Sequence, residues 1–181
     1  ISSTVNDNEK TTRGRLYVVN ISNPSAPAIA GSLKTKYPPH AIYVSGNYAY
    51  MAMDSSSLQI VDISLPFAPV IVGSIEIPGN KPGGIYDIYV SGNYAYVTNL
   101  RDGLSVVDVS VPSAPKIVGK LSDIFIPDDD GGGIYVRDVY VSGNYAYVAN
   151  DSSGLQVVDI SKPSAPTIVG NVPFGYASSV Y

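Results

Sequence analysis

The sequence predicts an all-β fold built from copies of one four-stranded antiparallel unit. Two motifs recur along its 181 residues. The first motif, L-x-V/I-V-D/N-V/I-S-x-P-x-A-P-x-I-x-G, occurs at residues 16–31, 58–73, 104–119 and 155–170. The second motif, V-S-G-N-Y-A-Y, lies between successive copies, at residues 44–50, 90–96 and 141–147. Such a period, roughly 40 to 50 residues, is typical of a supersecondary unit that buries its apolar faces against its neighbours.

Four strands can be followed through the unit at residues 41–75. A short apolar stretch at 41–44 leads into Ser45-Gly46-Asn47, and glycine and asparagine tolerate the positive φ that a tight hairpin turn needs. The second, third and fourth strands are predicted at 48–53, 58–63 and 70–75, separated by a polar loop and a proline-containing turn. The unit is therefore a four-stranded meander, and such meanders repeated about an axis are the blades of a β-propeller.

The third and fourth strands carry nearly continuous apolar runs, as in Leu-Gln-Ile-Val-Asp-Ile at 58–63. Both faces of each sheet should therefore be covered, as they are when blades pack face to face. No stretch shows a sustained helical period, and proline or glycine interrupts nearly every window. We expect almost no helix.

These residues also carry a family resemblance. The segment at 58–64, Leu-Gln-Ile-Val-Asp-Ile-Ser, and its counterparts at 104–110 and 155–161 resemble the core of the LVIVD repeat. This is a propeller-blade repeat found mainly in prokaryotic surface and secreted proteins, and the resemblance spans residues 15–176. It implies the propeller fold and an extracellular or cell-surface location. It implies no reaction, substrate or catalytic residue.

The repeats predict one domain with three complete blades and a fourth split between the termini. The blade units lie at about 1–31 (partial), 41–75, 87–121 and 138–172, and 177–181 matches a first strand. Three arrangements are consistent with a blade that is split between the two ends of the sequence. The terminal strands could pair and close a four-bladed ring, which removes exposed sheet edges. The chain could be a window of a longer propeller. Subunits could also complete each other head to tail in an open array.

Composition excludes several kinds of partner. The net charge is −4 with 14% charged residues, and basic residues are scattered singly, so no patch favours nucleic acid. No apolar run approaches the roughly 18 residues of a membrane span, so we expect no membrane insertion within these residues. The absence of cysteine rules out disulfides, thiolate metal sites and cysteine nucleophiles. Richness in Ser, Asn, Gly and Tyr favours an extracellular protein.

A candidate ligand site lies at the start of the first strand of each unit. Aligned positions there carry unlike polar side chains, which are His40, Tyr86, Asp87, Arg137 and Asp138. If the blades surround a channel, these groups converge at its mouth and could bind a small ligand or a glycan. The structural alternative is a ring of Arg–Asp salt bridges that ties neighbouring blades. Asp87 and Asp138 could also act as paired carboxylates of a hydrolase, the remote enzymatic alternative.

Other sequence features predict a metal site, two glycosylation sites and a set of turns. Asp128, Asp129 and Asp130 precede three glycines and could supply oxygen ligands to Ca²⁺, or form a solvated loop. The sequons at Asn20 and Asn150 are candidate glycosylation sites. A third set of polar side chains recurs just before each Ser-x-Pro turn and should hold that turn through backbone N–H groups: Asn20, Asp62, Asp108 and Asp159.

These observations favour a non-enzymatic function. The chain has one histidine, no cysteine and no G-x-S-x-G motif, and its repeats have hardly diverged. Sequence variation is concentrated in loops that one face of a propeller would share, which is how rigid scaffolds present binding loops. We expect an extracellular or cell-surface module that is an interaction scaffold or a structural subunit. Its partners would be other protein subunits or surface proteins, with head-to-tail self-assembly as one form. No cofactor is expected, with calcium as the one candidate.

Overall fold

The computed structural model describes residues 2–5, 13–78, 84–99, 102–122, 136–151 and 153–181, with the backbone alone for 2–5 and 13. The described residues form fifteen strands and no helix. In chain order the strands are β1 (Ser2–Val5), β2 (Arg13–Asn20), β3 (Ala28–Thr35), β4 (Pro39–Ser45), β5 (Tyr48–Met53), β6 (Ser57–Asp62), β7 (Val70–Glu76), β8 (Ile85–Ser91), β9 (Tyr94–Asn99), β10 (Gly103–Asp108), β11 (Lys116–Leu121), β12 (Val136–Ser142), β13 (Tyr145–Asn150), β14 (Gly154–Asp159) and β15 (Thr167–Val172).

The strands form four antiparallel meanders. The first blade is β1–β3, and the second, third and fourth are the four-stranded sheets β4–β7, β8–β11 and β12–β15. The first strands of the complete blades, β4, β8 and β12, lie side by side. This confirms the all-β propeller fold with three complete blades. No helix among the described residues is long and apolar enough to cross a membrane.

Two sets of turns have the predicted geometry. Gly46, Gly92 and Gly143 adopt φ values of 56°, 57° and 58° in the hairpin turns between first and second strands. In the Ser-x-Pro turns, the side chain that ends the last-but-one strand of each blade accepts a hydrogen bond from the backbone N–H two residues later. The donor–acceptor distances are 2.8–2.9 Å for Ser22 to Asn20, Ser64 to Asp62, Ser110 to Asp108 and Ser161 to Asp159. The structural role predicted for these side chains is confirmed.

The hydrophobic core lies between blades rather than within them. Leu58 and Ile60 of the second blade are buried with Ile88 and Val90 of the third blade. Equivalent residues of the third and fourth blades form a second cluster, including Leu104, Val106, Val139 and Val141. A blade is a single sheet with two apolar faces, so its burial depends on its neighbours.

A second contact between blades needs glycine. In each blade a β-bulge precedes a glycine of the last strand. These glycines are Gly31, Gly73, Gly119 and Gly170. A Cβ at Gly73 would overlap the carbonyl oxygen of Pro112 in the proline turn of the next blade. A Cβ at Gly31 would likewise overlap the carbonyl oxygen of Pro66, and a Cβ at Gly119 that of Pro163. A Cβ at Gly170 would touch only the side chain of Val157, at 3.6 Å.

The segment 177–181 is held by the fourth blade. Ala177 forms a single bridge with Asp151, and the N–H of Val180 donates to Asp138 at 2.8 Å. The N–H of Val139 donates to Asp87 in the same way, so this segment occupies the place of a further first strand. No ladder among the described residues joins it to β1. Among the described residues, the terminal segments therefore do not pair with each other, and the closed ring, the longer propeller and the open array all stay predictions.

Two matched substitutions test the contact between the glycine and the proline turn. Gly73→Ala should lower the free energy of unfolding by about 1–3 kcal/mol, because the added methyl displaces the backbone of the third blade. Gly170→Ala should leave the free energy unchanged or raise it by less than about 1 kcal/mol, because its Cβ has room. Urea denaturation of both variants measures the difference. Equal losses would contradict the contact.

Candidate functional site at the ends of the inner strands

Each inner strand carries a β-bulge near its start. Pairing passes from Pro39 to Ala41 in β4, from Ile85 to Asp87 in β8 and from Val136 to Asp138 in β12. The extra residues are therefore three of the predicted site residues, His40, Tyr86 and Arg137. A bulge leaves one residue out of the ladder and redirects its side chain, and bulges are common beside functional sites. In β8, the buried Thr98 hydroxyl accepts the N–H of Asp87 at 3.0 Å.

The three bulged residues come together across the blades. The rings of His40 and Tyr86 stack with centroids 6.0 Å apart. The guanidinium carbon of Arg137 lies 6.0 Å from the centre of the Tyr86 ring and 4.9 Å from that of Tyr176. We call His40, Tyr86, Arg137 and Tyr176 the mouth row. The Arg137 guanidinium between the two tyrosine rings is attracted to both through cation–π contacts.

Both basic residues of the mouth row are paired within their own blade. His40 Nε2 contacts the carboxylate of Asp54, and Arg137 lies 3.3 Å from Asp151. The two aspartates occupy equivalent positions, directly after the second strand. Burial alone would lower the pKa of Arg137, but Asp151 raises it above its ordinary value. The structure thus pairs Arg137 with Asp151 inside one blade, and the ring of Arg–Asp salt bridges between neighbouring blades stays an alternative.

Asp87 and Asp138 form a different contact, between the third and fourth blades. Their side chains are hydrogen-bonded to each other. The N–H of Val139 donates to Asp87 Oδ2 at 3.1 Å and to Asp138 Oδ1 at 3.0 Å. Asp138 Oδ2 also accepts bonds from the Ser179 hydroxyl at 2.6 Å and the N–H of Val180. The second blade has Ala41 at this position and lacks the carboxylate.

The pKa values of the two aspartates are shifted in opposite directions. Burial and the hydrogen bond with Asp138 raise the pKa of Asp87 to about 7. Burial would also raise the pKa of Asp138, but hydrogen bonds from Asp87, Ser179 and Val180 hold it below its ordinary value. One neutral and one ionised carboxyl can be this close because only one charge is buried. Paired carboxylates of glycosidases are instead separated by roughly 5–9.5 Å, leaving room for the substrate.

The remaining predicted sites have different outcomes. Asp128, Asp129 and Asp130 lie outside the described residues, and within them no cluster of three His, Cys, Asp or Glu side chains could hold a metal. Asn20 is exposed at the end of β2, so its sequon stays a prediction. Asn150 is fully buried in β13, which leaves no space for a glycan. The predicted glycosylation of Asn150 is therefore wrong for the folded chain.

Sequence reasoning missed a second row of side chains on the inner strands. The rings of Tyr43 and Tyr89 are 4.7 Å apart, and those of Tyr89 and Tyr140 are 5.3 Å apart. A hydrogen bond with Tyr43 raises the pKa of Tyr89. The signal was present, since each V-S-G-N motif is preceded directly by tyrosine. Asp54 and Asp151 were also missed as partners, although each follows its basic residue by 14 positions.

A comparison with protein families agrees with the blade boundaries. The family model of the LVIVD repeat matches residues 12–35, 40–76, 82–123 and 133–173. The chain belongs to the LVIVD repeat family. Each of the four matches contains the last two strands of one blade, the third and fourth matches also contain the bulged inner strand, and the second match contains all of its inner strand except Pro39. Among curated proteins, no match to this LVIVD chain was found.

The aspartate pair predicts a pH dependence. Asp87 holds its proton more tightly in the folded state, so the unfolded chain ionises first and stability should fall as pH rises from about 4 to about 7. The slope should stay below about 1.4 kcal/mol per pH unit, the limit for one proton. Asp87→Asn keeps a neutral donor and should remove this slope, as measured by urea denaturation between pH 4.5 and 8.

Asp108→Asn is the matched control. Hydrogen bonds from Ser110 lower the pKa of Asp108, so its titration lies below this pH window. The control should retain the slope of the wild-type protein. A slope that survives in Asp87→Asn would assign the proton to another group.

Proposed function

We propose that this LVIVD chain is a non-enzymatic, extracellular or cell-surface propeller module that assembles with other protein subunits. The observation that carries the proposal is the glycine–proline contact that joins successive blades, which a proline turn of another subunit can also make at Gly170. Three equivalent contacts are each filled by the proline turn of the following blade. Among the described residues, no proline turn covers Gly170.

The first blade offers the complementary half of that contact. Its proline turn, at residues 23–27, is exposed, whereas the equivalent carbonyls of Pro66, Pro112 and Pro163 pack on the preceding blade. The fourth blade exposes apolar Val169 and Val172 beside Gly170. A turn from a second copy could therefore pack on this face as the internal turns do. Such a contact joins different surfaces of two subunits and extends head to tail.

Three further observations support this proposal over catalysis or nucleic-acid binding. His40 and Arg137 of the mouth row contact aspartates of their own blades. Asp87 and Asp138 beside the row accept backbone N–H groups of Val139 and Val180. The negative net charge disfavours nucleic acid. The resemblance to repeats of prokaryotic surface and secreted proteins supports an extracellular location. The proposal needs no cofactor.

One observation favours a second function, binding of a small ligand or glycan at the mouth row. Bulges in three consecutive blades take His40, Tyr86 and Arg137 out of the strand ladders and place them together. Tyr86 and His40 remain partly exposed, so part of each side chain could contact a ligand. The two functions require different surfaces and can be separated by substitution.

Light scattering across a concentration series tests the proposal. The wild-type chain should gain mass with concentration, whereas Gly170→Ala should stay monomeric because its methyl occupies the place of a turn carbonyl. Arg137→Ala leaves the Gly170 face intact and should assemble like the wild type. A wild-type monomer at every concentration, or assembly that survives Gly170→Ala, would contradict the head-to-tail contact. Loss of assembly in Arg137→Ala alone would assign the interface to the mouth row.

A further inference from the structure

Three tyrosines of the inner strands form a row that crosses from blade to blade. Tyr43, Tyr89 and Tyr140 each lie directly before the V-S-G-N sequence of their blade, and we call them the tyrosine row. The rings of Tyr43 and Tyr89 are 4.7 Å apart and inclined at 49°. Those of Tyr89 and Tyr140 are 5.3 Å apart and nearly perpendicular, at 77°. The closer contact therefore joins the second blade to the third.

The closer pair is also joined through its hydroxyl groups. Tyr43 and Tyr89 share a side-chain hydrogen bond. Such a bond between two phenol oxygens spans about 2.7–2.8 Å, and each oxygen is attached next to the two ortho carbons of its ring. Ortho carbons of the two rings are therefore brought near each other. Two phenol rings linked by a single bond are twisted rather than coplanar, so the 49° inclination is compatible with a linked pair.

Packing holds both rings in place. Tyr43 packs against the core cluster between the second and third blades, and Tyr89 packs against the cluster between the third and fourth. Both side chains stay half-buried, so part of each remains accessible to small molecules. Reacting groups held in contact behave as if they were highly concentrated. A reaction between these two rings is therefore favoured over a reaction between two separate molecules.

The composition makes tyrosine the accessible target of an oxidant. The chain has 15 tyrosines but no cysteine and no tryptophan. Cysteine thiols and methionine thioethers are readily oxidised. The only two methionines, Met51 and Met53, have no exposed surface. An oxidant in solution should therefore act on exposed or half-buried phenols.

We propose that Tyr43 and Tyr89 are an oxidative modification site, where a peroxidase supplied with hydrogen peroxide forms a dityrosine cross-link between the second and third blades. Each phenol gives up one electron and its hydroxyl proton, and becomes a phenoxyl radical whose unpaired electron extends to its ortho carbons. A carbon–carbon bond then forms between one ortho carbon of each ring. Each of these carbons releases its hydrogen as a proton, and a proton returns to each oxygen. The two electrons and two protons removed first reduce one hydrogen peroxide to two waters.

The cross-link gives this interface a covalent tie. It joins β4 to β8, the inner strands of two blades whose interface is otherwise noncovalent. Its two residues lie one repeat apart, so the bond closes a long loop in the unfolded chain and lowers the entropy of that state, as a disulfide does. A chain without cysteine can thus gain the stability that disulfides give to other proteins. The site does not involve Gly170, so it stands or falls independently of the head-to-tail contact.

Limited oxidation of the dilute full chain by a peroxidase and hydrogen peroxide tests the site. The monomer is isolated under denaturing conditions and digested with a protease that cleaves before aspartate. Asp54, Asp62 and Asp87 separate the two tyrosines along the chain. We expect mass spectrometry to find their two fragments joined, with a summed mass lower by that of two hydrogen atoms. The thermal unfolding midpoint of the cross-linked monomer should rise by at least about 5 °C.

Two phenylalanine variants locate the bond. Tyr43→Phe removes one phenol of the pair and should lower the yield of the joined fragments at least about tenfold. Tyr145→Phe is the matched control, since it removes the hydroxyl of a tyrosine that is 44% exposed and lies outside the row. Its yield should match that of the wild type.

Four results would contradict the proposal. The oxidised monomer could contain no joined fragments, or Tyr43→Phe could give the same yield as the wild type. The fragment of Tyr89 could be joined to that of Tyr140 instead. An unchanged unfolding midpoint in the cross-linked monomer would contradict the tie between the blades.

Discussion

The fold depends on covering both faces of every blade with a neighbouring blade. A single four-stranded sheet has two apolar faces and no core of its own, so its stability comes from contacts with the sheets beside it. The interfaces between the second, third and fourth blades use two devices, tyrosines of the second strand and a proline turn that packs on bare glycine backbone. The first and second blades share the glycine–proline contact, between Gly31 and Pro66. The proposed contact of Gly170 with another subunit repeats this device.

The side-chain contacts at the inner strands follow from the same packing of blade against blade. The inner strands approach each other closely: Asp87 accepts the N–H of Val139 in the next inner strand, and Asp138 accepts the N–H of Val180 in the C-terminal segment. Burial and the hydrogen bond between the two carboxyls raise the pKa of Asp87, while hydrogen bonds from Asp87, Ser179 and Val180 lower that of Asp138. The bulges direct His40 and Arg137 away from this crowded position, toward carboxylates of their own blades.

The features that the sequence predicted are local or periodic. Strands, hairpin turns and the bonds of Asp62 and its counterparts depend on residues a few positions apart, and the four copies reinforce each other. The bulges could not be predicted, because one extra residue in a strand changes neither its composition nor its apolar character. The partners of His40 and Arg137 depend on those bulges and were missed for that reason. Asn150 matched a glycosylation sequon, but the triplet carries no information on the burial of that side chain.

Native-state hydrogen exchange tests the central claim that neighbours provide the stability of each blade. The third blade is covered on both faces, so the amides of β9 and β10 should exchange most slowly and only through global unfolding. The amides of β2 and β3, whose blade contacts one neighbouring blade among the described residues, should exchange faster through local opening. Equal protection across the four blades, or slowest exchange in the first blade, would contradict the account.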